Sequence, residues 1–513
     1  MRWMSLQGRN RISGRIKRKG SAAVLLCILF VSLTGALAIT YEASERKAAV
    51  SIGEAAFDNA GRSVLACYDK ELFERYGLFA FEGDEEKTGQ RLEKLAKASI
   101  ESTKIAGCKI NNVEAEQSAF CLADPDNLML QIREITKRTA AADAVGGLKD
   151  ELKTAGEKVQ EKQQADQKIG ELEKEREDAK QRAREAVENA GAEEEEAVLQ
   201  EVDDPGDELE EIENAEQTQN HLKEQINSVS NEPSDTSGGR TLKNGRIIDS
   251  LPSVAAGCSG KIAFAGETVL KDLSEENAGE AVSDDLVAVA YIEHFFHDHL
   301  DADSPDQSFF HCETEYILYG SMSDDTNYRK AWASIFAVRT AVNTAYLYTD
   351  STKRQLILDT AEVLTPGPYC LLTQLLLSAL WAGAEAYNDM RNLEDGRGVP
   401  MWKTSETWMT DLDGILNGIR DGSSYIPVSG NSRFTYSRYL DLFLLTLNRD
   451  TKLYRIMDLI QINLKGTVRE EFTVADHFTG FALKAEIGKK SHAVGVGSAT
   501  ADINMTHAYL TGG

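Results

Sequence analysis

The residues best placed to do chemistry lie in one run, IEHFFHDHLDADSPDQSFFHCE, which holds His294, His297, His299 and His311 with Asp298, Asp301 and Asp303. Imidazole and carboxylate side chains are the ligands of zinc and related metals, so a metal-dependent hydrolase is the enzyme reading of this chain. The spacing argues against it. On a helix His294 and His297 share a face, whereas His299 falls well off it. The run matches neither HExxH nor the other zinc-protease patterns. Phe295, Phe296 and Leu300 mark instead a helix end that packs onto a core. Asp301, Asp303 and Asp306 lack the glycine and closing glutamate of a calcium loop. Cys370 lies in an apolar stretch with no histidine nearby to activate it. Gly495, Gly497 and Ser498 form a small-residue strand or turn with no nucleotide-binding context, and no GxGxxG, P-loop or GxSxG occurs. Trp332, Trp381, Trp402 and Trp408 read as core. The sequence therefore predicts no catalytic, cofactor-binding or metal-ligating residues, no cofactor and no enzyme activity.

The elements around that run say more. The 513 residues are 42% hydrophobic and carry 83 acidic against 56 basic side chains, a net charge of −27. Seven of the positive charges (Arg2, Arg9, Arg11, Arg15, Lys17, Arg18 and Lys19) fall within residues 1–20, which hold no acid. The rest of the chain is thus more negative still, which excludes nucleic acid as its partner, since phosphates need a cationic surface. No small-molecule substrate suggests itself.

Residues 21–40 read SAAVLLCILFVSLTGALAIT, twenty residues without a charge. As a helix they span roughly 30 Å, the thickness of a bilayer core. The preceding RIKRKG resists translocation, so residues 1–20 are expected in the cytoplasm and the remainder outside, a single-pass protein of the cell membrane. A cleaved secretory signal uses the same features, with Ala36-Leu37-Ala38 as its cleavage site. Against cleavage, the helical pattern runs on without proline from Glu42 to Tyr68, with Val50, Phe57 and Val64 every seven residues. The small residues Gly53, Ala56, Ala60 and Gly61 are expected to let neighbouring helices approach closely.

The run KGSAAVLLCILFVSLTGALAITYEASERKAAVSIGEAAFDNAGRSVLACYD resembles the N-terminus of the pseudopilin-like proteins of tight-adherence (TadE/TadG-like) pilus systems. It has their basic start, a Gly-Ser-Ala-Ala lead-in and an Ala-rich continuation. Where prepilin-type processing goes with a glutamate five residues after the cleavage-site glycine, this chain has Leu25. EYILYGSMSDDTN (Glu315–Asn327), WAGAEAYNDMRNLEDGRGVPMWKTSETW (Trp381–Trp408) and YLDLFLLTLNRDTKLYRIMDLIQINL (Tyr439–Leu464) resemble an uncharacterised family of membrane-anchored proteins found in clostridial-type bacteria beside tight-adherence genes. The resemblance implies a non-enzymatic structural or assembly component of a type IV pilus-like machine, with the lipid bilayer and other pilus or secretion proteins as partners. The alternative is a membrane-tethered adhesin or binding module unrelated to pilus building.

The predicted fold class is α+β, mostly α. Residues 41–143 form the pseudopilin-like stalk and a small α+β region, with a helix over 88–105 and a strand over Lys109–Leu122. Residues 144–230 form an acidic antiparallel coiled-coil insert. Its first arm repeats Leu148, Leu152, Ala155 and Val159, and its second repeats Ile212, Ala215, Gln219, Leu222, Ile226 and Val229, with Pro205-Gly206 between. A disordered acidic insert is the other reading of this stretch. Residues 231–246 read as a linker. Residues 247–513 form an α-rich ectodomain, with helices over Leu286–His299, Tyr328–Tyr348, Thr352–Leu364, Tyr369–Arg391, Ser405–Arg420 and Ser437–Lys465 and strands in the last forty residues. Six cysteines beyond Cys27 (Cys67, Cys108, Cys121, Cys258, Cys312 and Cys370) permit up to three disulfides, or none.

Overall fold

The structure, a computed structural model, describes residues 20–103, 108–139, 205–229, 239–258, 280–301, 308–417, 426–428, 432, 434–490 and 499–510. It is mostly helical, with a few antiparallel strands. In chain order the helices begin with α1 (Gly20–Leu65), α2 (Lys70–Tyr76), α3 (Glu85–Ser102) and α4 (Pro125–Thr139), with strand β1 (Cys108–Glu116) between the last two. There follow α5 (Pro205–Val229), α6 (Gly245–Asp249), α7 (Pro252–Ala255), α8 (Glu280–Phe295), α9 (Glu313–Tyr319) and α10 (Asp324–Thr349). Then come α11 (Ser351–Leu364), α12 (Cys370–Glu394), α13 (Leu412–Leu416), α14 (Tyr436–Thr446) and α15 (Arg449–Thr467), and the chain closes on β2 (Gly480–Lys489) and β3 (Ala499–Ala508).

The chain divides into two compact units. The first is assembled from residues 1–68, 81–120 and 480–509, so both ends of the chain build it. Its α1 is, among the described residues, the helix long and apolar enough to cross a membrane. Val24 to Ile39 lie bare on that helix, with Phe30, Val31 and Ile39 each more than two-thirds exposed. Beyond Tyr41 its character changes, and Ala49, Ala56, Phe57, Ala60 and Val64 are buried. They pack on α3 and on the sheet β1-β2-β3, which is antiparallel throughout. Val113, Ala485 and Ile503 stand in register across the strands, while Glu114, Lys484 and Asn504 occupy the alternate row.

The small residues of α1 therefore have a different role from the one their spacing suggests. A Cβ on Gly53 would lie 1.9 Å from Ile487 Cδ1, and one on Gly61 would lie 2.5 Å from the His507 ring. With Ala56 and Ala60 buried alongside, this face lets the chain's own sheet approach, and is not a surface left for neighbouring helices. Lys489 Nζ bonds Glu45 at 2.9 Å and His507 Nε2 meets Asp58 at 3.3 Å, so charged pairs flank the glycine contacts.

The second unit comprises residues 69–80, 121–479 and 510–513. Its ends are fastened by Leu122 N–H to His477 O at 2.8 Å and by Asp69, which takes bonds from the Arg469 guanidinium and from His477 Nε2. Its core is built on the pair α10 and α12, where Trp332 stacks on Phe336 and Trp381 meets Trp408 edge-on. Helix α5 buries Ala215, Gln219, Leu222 and Val229, four of the six residues of the second predicted arm, and packs on α12. The first arm, residues 144–204, lies outside the described residues. At the end of the predicted linker, Arg240 and Leu242 exchange backbone hydrogen bonds with Asp324 and Met322.

Two predicted helices are corrected. Ser437–Lys465 is two helices, because Asn448 accepts from the amides of Asp450 and Thr451 and starts α15 afresh. Of Ser405–Arg420 only α13 is helical among the described residues. The amides of Met409 and Thr410 are taken by the Glu385 carboxylate at 2.9–3.2 Å and cannot enter a helical ladder. The strand expected over Lys109–Leu122 stops at Glu116. All seven cysteines are free thiols.

Candidate functional site

The histidine-rich run leaves helix α8 at Phe295, so its histidines diverge. His294 is exposed in the last turn. His297 is buried, its Nδ1 2.8 Å from Glu313 Oε2 and its Nε2 3.2 Å from Phe310 O, so both ring nitrogens are engaged. Burial alone would lower its pKa, but the bond to Glu313 and the charge of that carboxylate raise it on balance. His299 lies against Tyr328, the rings tilted by 32° with centroids 3.9 Å apart, and burial lowers its pKa. The backbone N–H of His311 donates to Asp324. Asp303 and Asp306 lie outside the described residues. Among the described residues no three His, Cys, Asp or Glu side chains converge as a metal would require.

Cys312 Sγ lies 3.6 Å from His299 Nδ1, a pairing that the sequence did not suggest. Burial, with Glu315 and Asp324 nearby, pushes the thiol well above its ordinary pKa, which disfavours the reactive thiolate. Glu315 itself is fully buried, accepting from His299 N–H at 3.0 Å and Tyr436 O–H at 2.8 Å, while its Oε2 has no hydrogen-bond partner among the described residues. Burial, then the neighbouring Asp298, push its carboxyl up to about 8. Asp298 holds Leu300 N–H and the Ser437 hydroxyl, and Asp441 is raised to about 7 by burial and by Glu293. Burial thus favours the protonated carboxyl at Glu315 and Asp441.

A second constellation was not foreseen. Arg339 of α10, Glu385 and Asp389 of α12, and Lys403 of the following loop are fully buried together. Arg339 Nε and Nη2 grip Asp389 Oδ2 at 3.0 and 2.6 Å, and Nη1 bonds the carbonyls of Pro400 and Met401 at 2.9 Å. Asn343 Nδ2 adds a third donor to the same Oδ2 at 3.1 Å. Lys403 Nζ sits 2.5 Å from Glu385 Oε1, 2.6 Å from Asp389 Oδ1 and 3.1 Å from Thr407 O. Two cations thus face two anions, and every Lys403 ammonium hydrogen has an acceptor.

One signal for it was available. Glu385 and Asp389 stand four residues apart within LLLSALWAGAEAYNDM, on a helix face otherwise apolar, as Arg339 does within IFAVRTAV. Charges on a buried face need partners, but sequence does not say which.

A family of unknown function, DUF5702, matches residues 195–489, more than half of the chain. The chain belongs to that family. The DUF5702 segment takes in α5 to β2, with both buried clusters, and leaves α1 and β3 outside it. No curated protein and no solved structure matches the chain.

Proposed function

We propose that this DUF5702 protein is a non-enzymatic structural or assembly component of a tight-adherence, type IV pilus-like system, anchored by α1 with its C-terminal bulk outside the cell membrane. The observation that carries this reading is the division of α1. Its first half is apolar and bare, which calls for lipid or other apolar helices. Its second half is fixed by Gly53 and Gly61 to a sheet made by the end of the chain. A subunit that must pass between a bilayer and a helical assembly needs that combination of a free apolar helix and a folded head.

The same reading keeps residues 144–230 as an acidic coiled-coil insert for partner contacts. Its support is the helical second arm. Ala215, Leu222 and Val229 are buried where α5 packs on α12, which gives that arm an apolar seam of its own. His297 bonds Glu313 and His299 lies against Tyr328, so the histidine run adds nothing to the metal-dependent hydrolase reading.

Photo-crosslinking in the native cells tests the proposal. A photoreactive residue at Leu33 should capture the apolar N-terminal helices of other pilus subunits, whereas one at the buried Phe57 should capture none. Crosslinks to lipid alone at Leu33 would contradict a pilus role and favour a tethered binding module.

A further inference from the structure

We propose that Lys403 and Asp389 join in an intramolecular amide, with Glu385 as the proton carrier and with Arg339 and Asn343 as the oxyanion-holding groups. The inference does not depend on the pilus reading. It rests on the arrangement of four fully buried side chains rather than on their charge balance alone.

The amine nitrogen touches both carboxylates it would need. Glu385 Oε1 lies 2.5 Å from Lys403 Nζ, placed to take a proton and leave the amine lone pair free. Asp389 Oδ1 lies 2.6 Å from the same nitrogen, which puts the side-chain carbonyl carbon next to the attacking atom. The other oxygen, Oδ2, takes donors from Arg339 Nε, Arg339 Nη2 and Asn343 Nδ2 at 2.6–3.1 Å, where negative charge gathers when the carbon becomes tetrahedral. Glu385 is held in place by the amides of Met409 and Thr410, and it shares one face of α12 with Asp389.

The step balances. Nζ–Cγ forms and Cγ–Oδ1 breaks. The ammonium gives up two protons, which Glu385 passes to Oδ1, and one water leaves. No oxidant or reductant is required, and Glu385 ends in the state in which it began. The cation and anion consumed are one of each, so Arg339 and Glu385 remain a neutral pair in the buried site. Full burial excludes the water that would reverse the reaction. Glu385 is the rival electrophile, but its oxygens meet only backbone amides on the far side, whereas Asp389 faces a guanidinium, the stronger stabiliser of an oxyanion.

Peptide mapping of the full-length protein, purified from membranes in detergent and then denatured, decides the matter. We expect a branched peptide joining residues 389 and 403, lighter than its two linear parts by one water, about 18 Da. Trypsin should not cut after Lys403. Glu385→Gln should return the linear peptides and restore cleavage. A wild-type digest with linear peptides and a free Lys403 amine would overturn the proposal without reference to any variant. A branch at Glu385 would overturn the assignment of Asp389, and a water loss located at Asp395-Gly396 would show ordinary backbone dehydration instead.

Discussion

The two buried polar clusters of the helical unit are built from similar residues and behave oppositely. Around Arg339, Asp389, Lys403 and Glu385 each charge meets its opposite, before any bond joins Lys403 to Asp389. Around Glu315, Asp298 and Asp441, Arg438 pairs with Asp441 and Glu293, and Glu315 Oε2 has no hydrogen-bond partner among the described residues. Burial then does different work in each place. In the first it strengthens the pairs, and in the second it drives carboxyl groups to keep their protons. The first cluster should be the more sensitive to mutation, and the second should give a dependence on pH.

The largest expected effect breaks the first cluster. Arg339→Ala leaves Asp389 Oδ2 with Asn343 Nδ2 in place of three donors, takes the donor from two carbonyls, and should cost about 3–5 kcal/mol in urea denaturation. Arg339→Lys should not rescue it, since an ammonium cannot reproduce the two-pronged grip on Asp389 while reaching Pro400 and Met401. A loss under 1 kcal/mol, roughly a surface-pair value, would show that the cluster is not the anchor of this core.

The next effect sharpens the second cluster. Glu315 is raised from 4.5 to about 8, so the folded state holds a proton that the unfolded state releases. Its contribution is complete below pH 4.5 and disappears as pH rises towards 8, a loss on the order of 4 kcal/mol. Asp441, raised to about 7, adds to the same slope at its lower end. Glu315→Gln should flatten the dependence and outlast the native protein at pH 9 in thermal melts. Equal slopes in both proteins would remove Glu315 from the account. Asp69 runs the other way. Burial opposes ionisation, but bonds from His477 and Leu72 N–H and the charge of Arg469 bring its carboxyl down to about 2. Its contribution is present above pH 3.8 and is lost as pH falls through 2, so Asp69→Asn should matter least in strong acid.

The smallest effect is local. Asn448→Ala removes the cap that separates α14 from α15 and should cost about 1 kcal/mol, read from the urea midpoint, without altering the slope with pH.

What was legible in the sequence followed periodicity. The apolar run of α1, the helices around Trp332 and Trp381, and the strands after Gly480 all carry patterns set by burial of one face. Most of what was missed depended on contacts distant in sequence. The loop after Pro400 looked helical because Trp408, Leu412 and Ile415 recur at helical spacing, yet Glu385 takes the amides that a helix would use. Asn448 looked like an interior residue because the apolar pattern runs through it. Gly53 and Gly61 were read as a docking face because nothing local says that Ile487 and His507 return to meet them. The histidine run attracted attention for its residue types, whereas the charged cluster in α10 and α12 hid among apolar neighbours.

The central claim, that α1 remains as an anchor, is tested most directly by fractionating native cells and determining the N-terminus of the mature chain by mass spectrometry. The account predicts a membrane-bound chain that retains residues 21–40. A soluble chain beginning at Ile39 would contradict it.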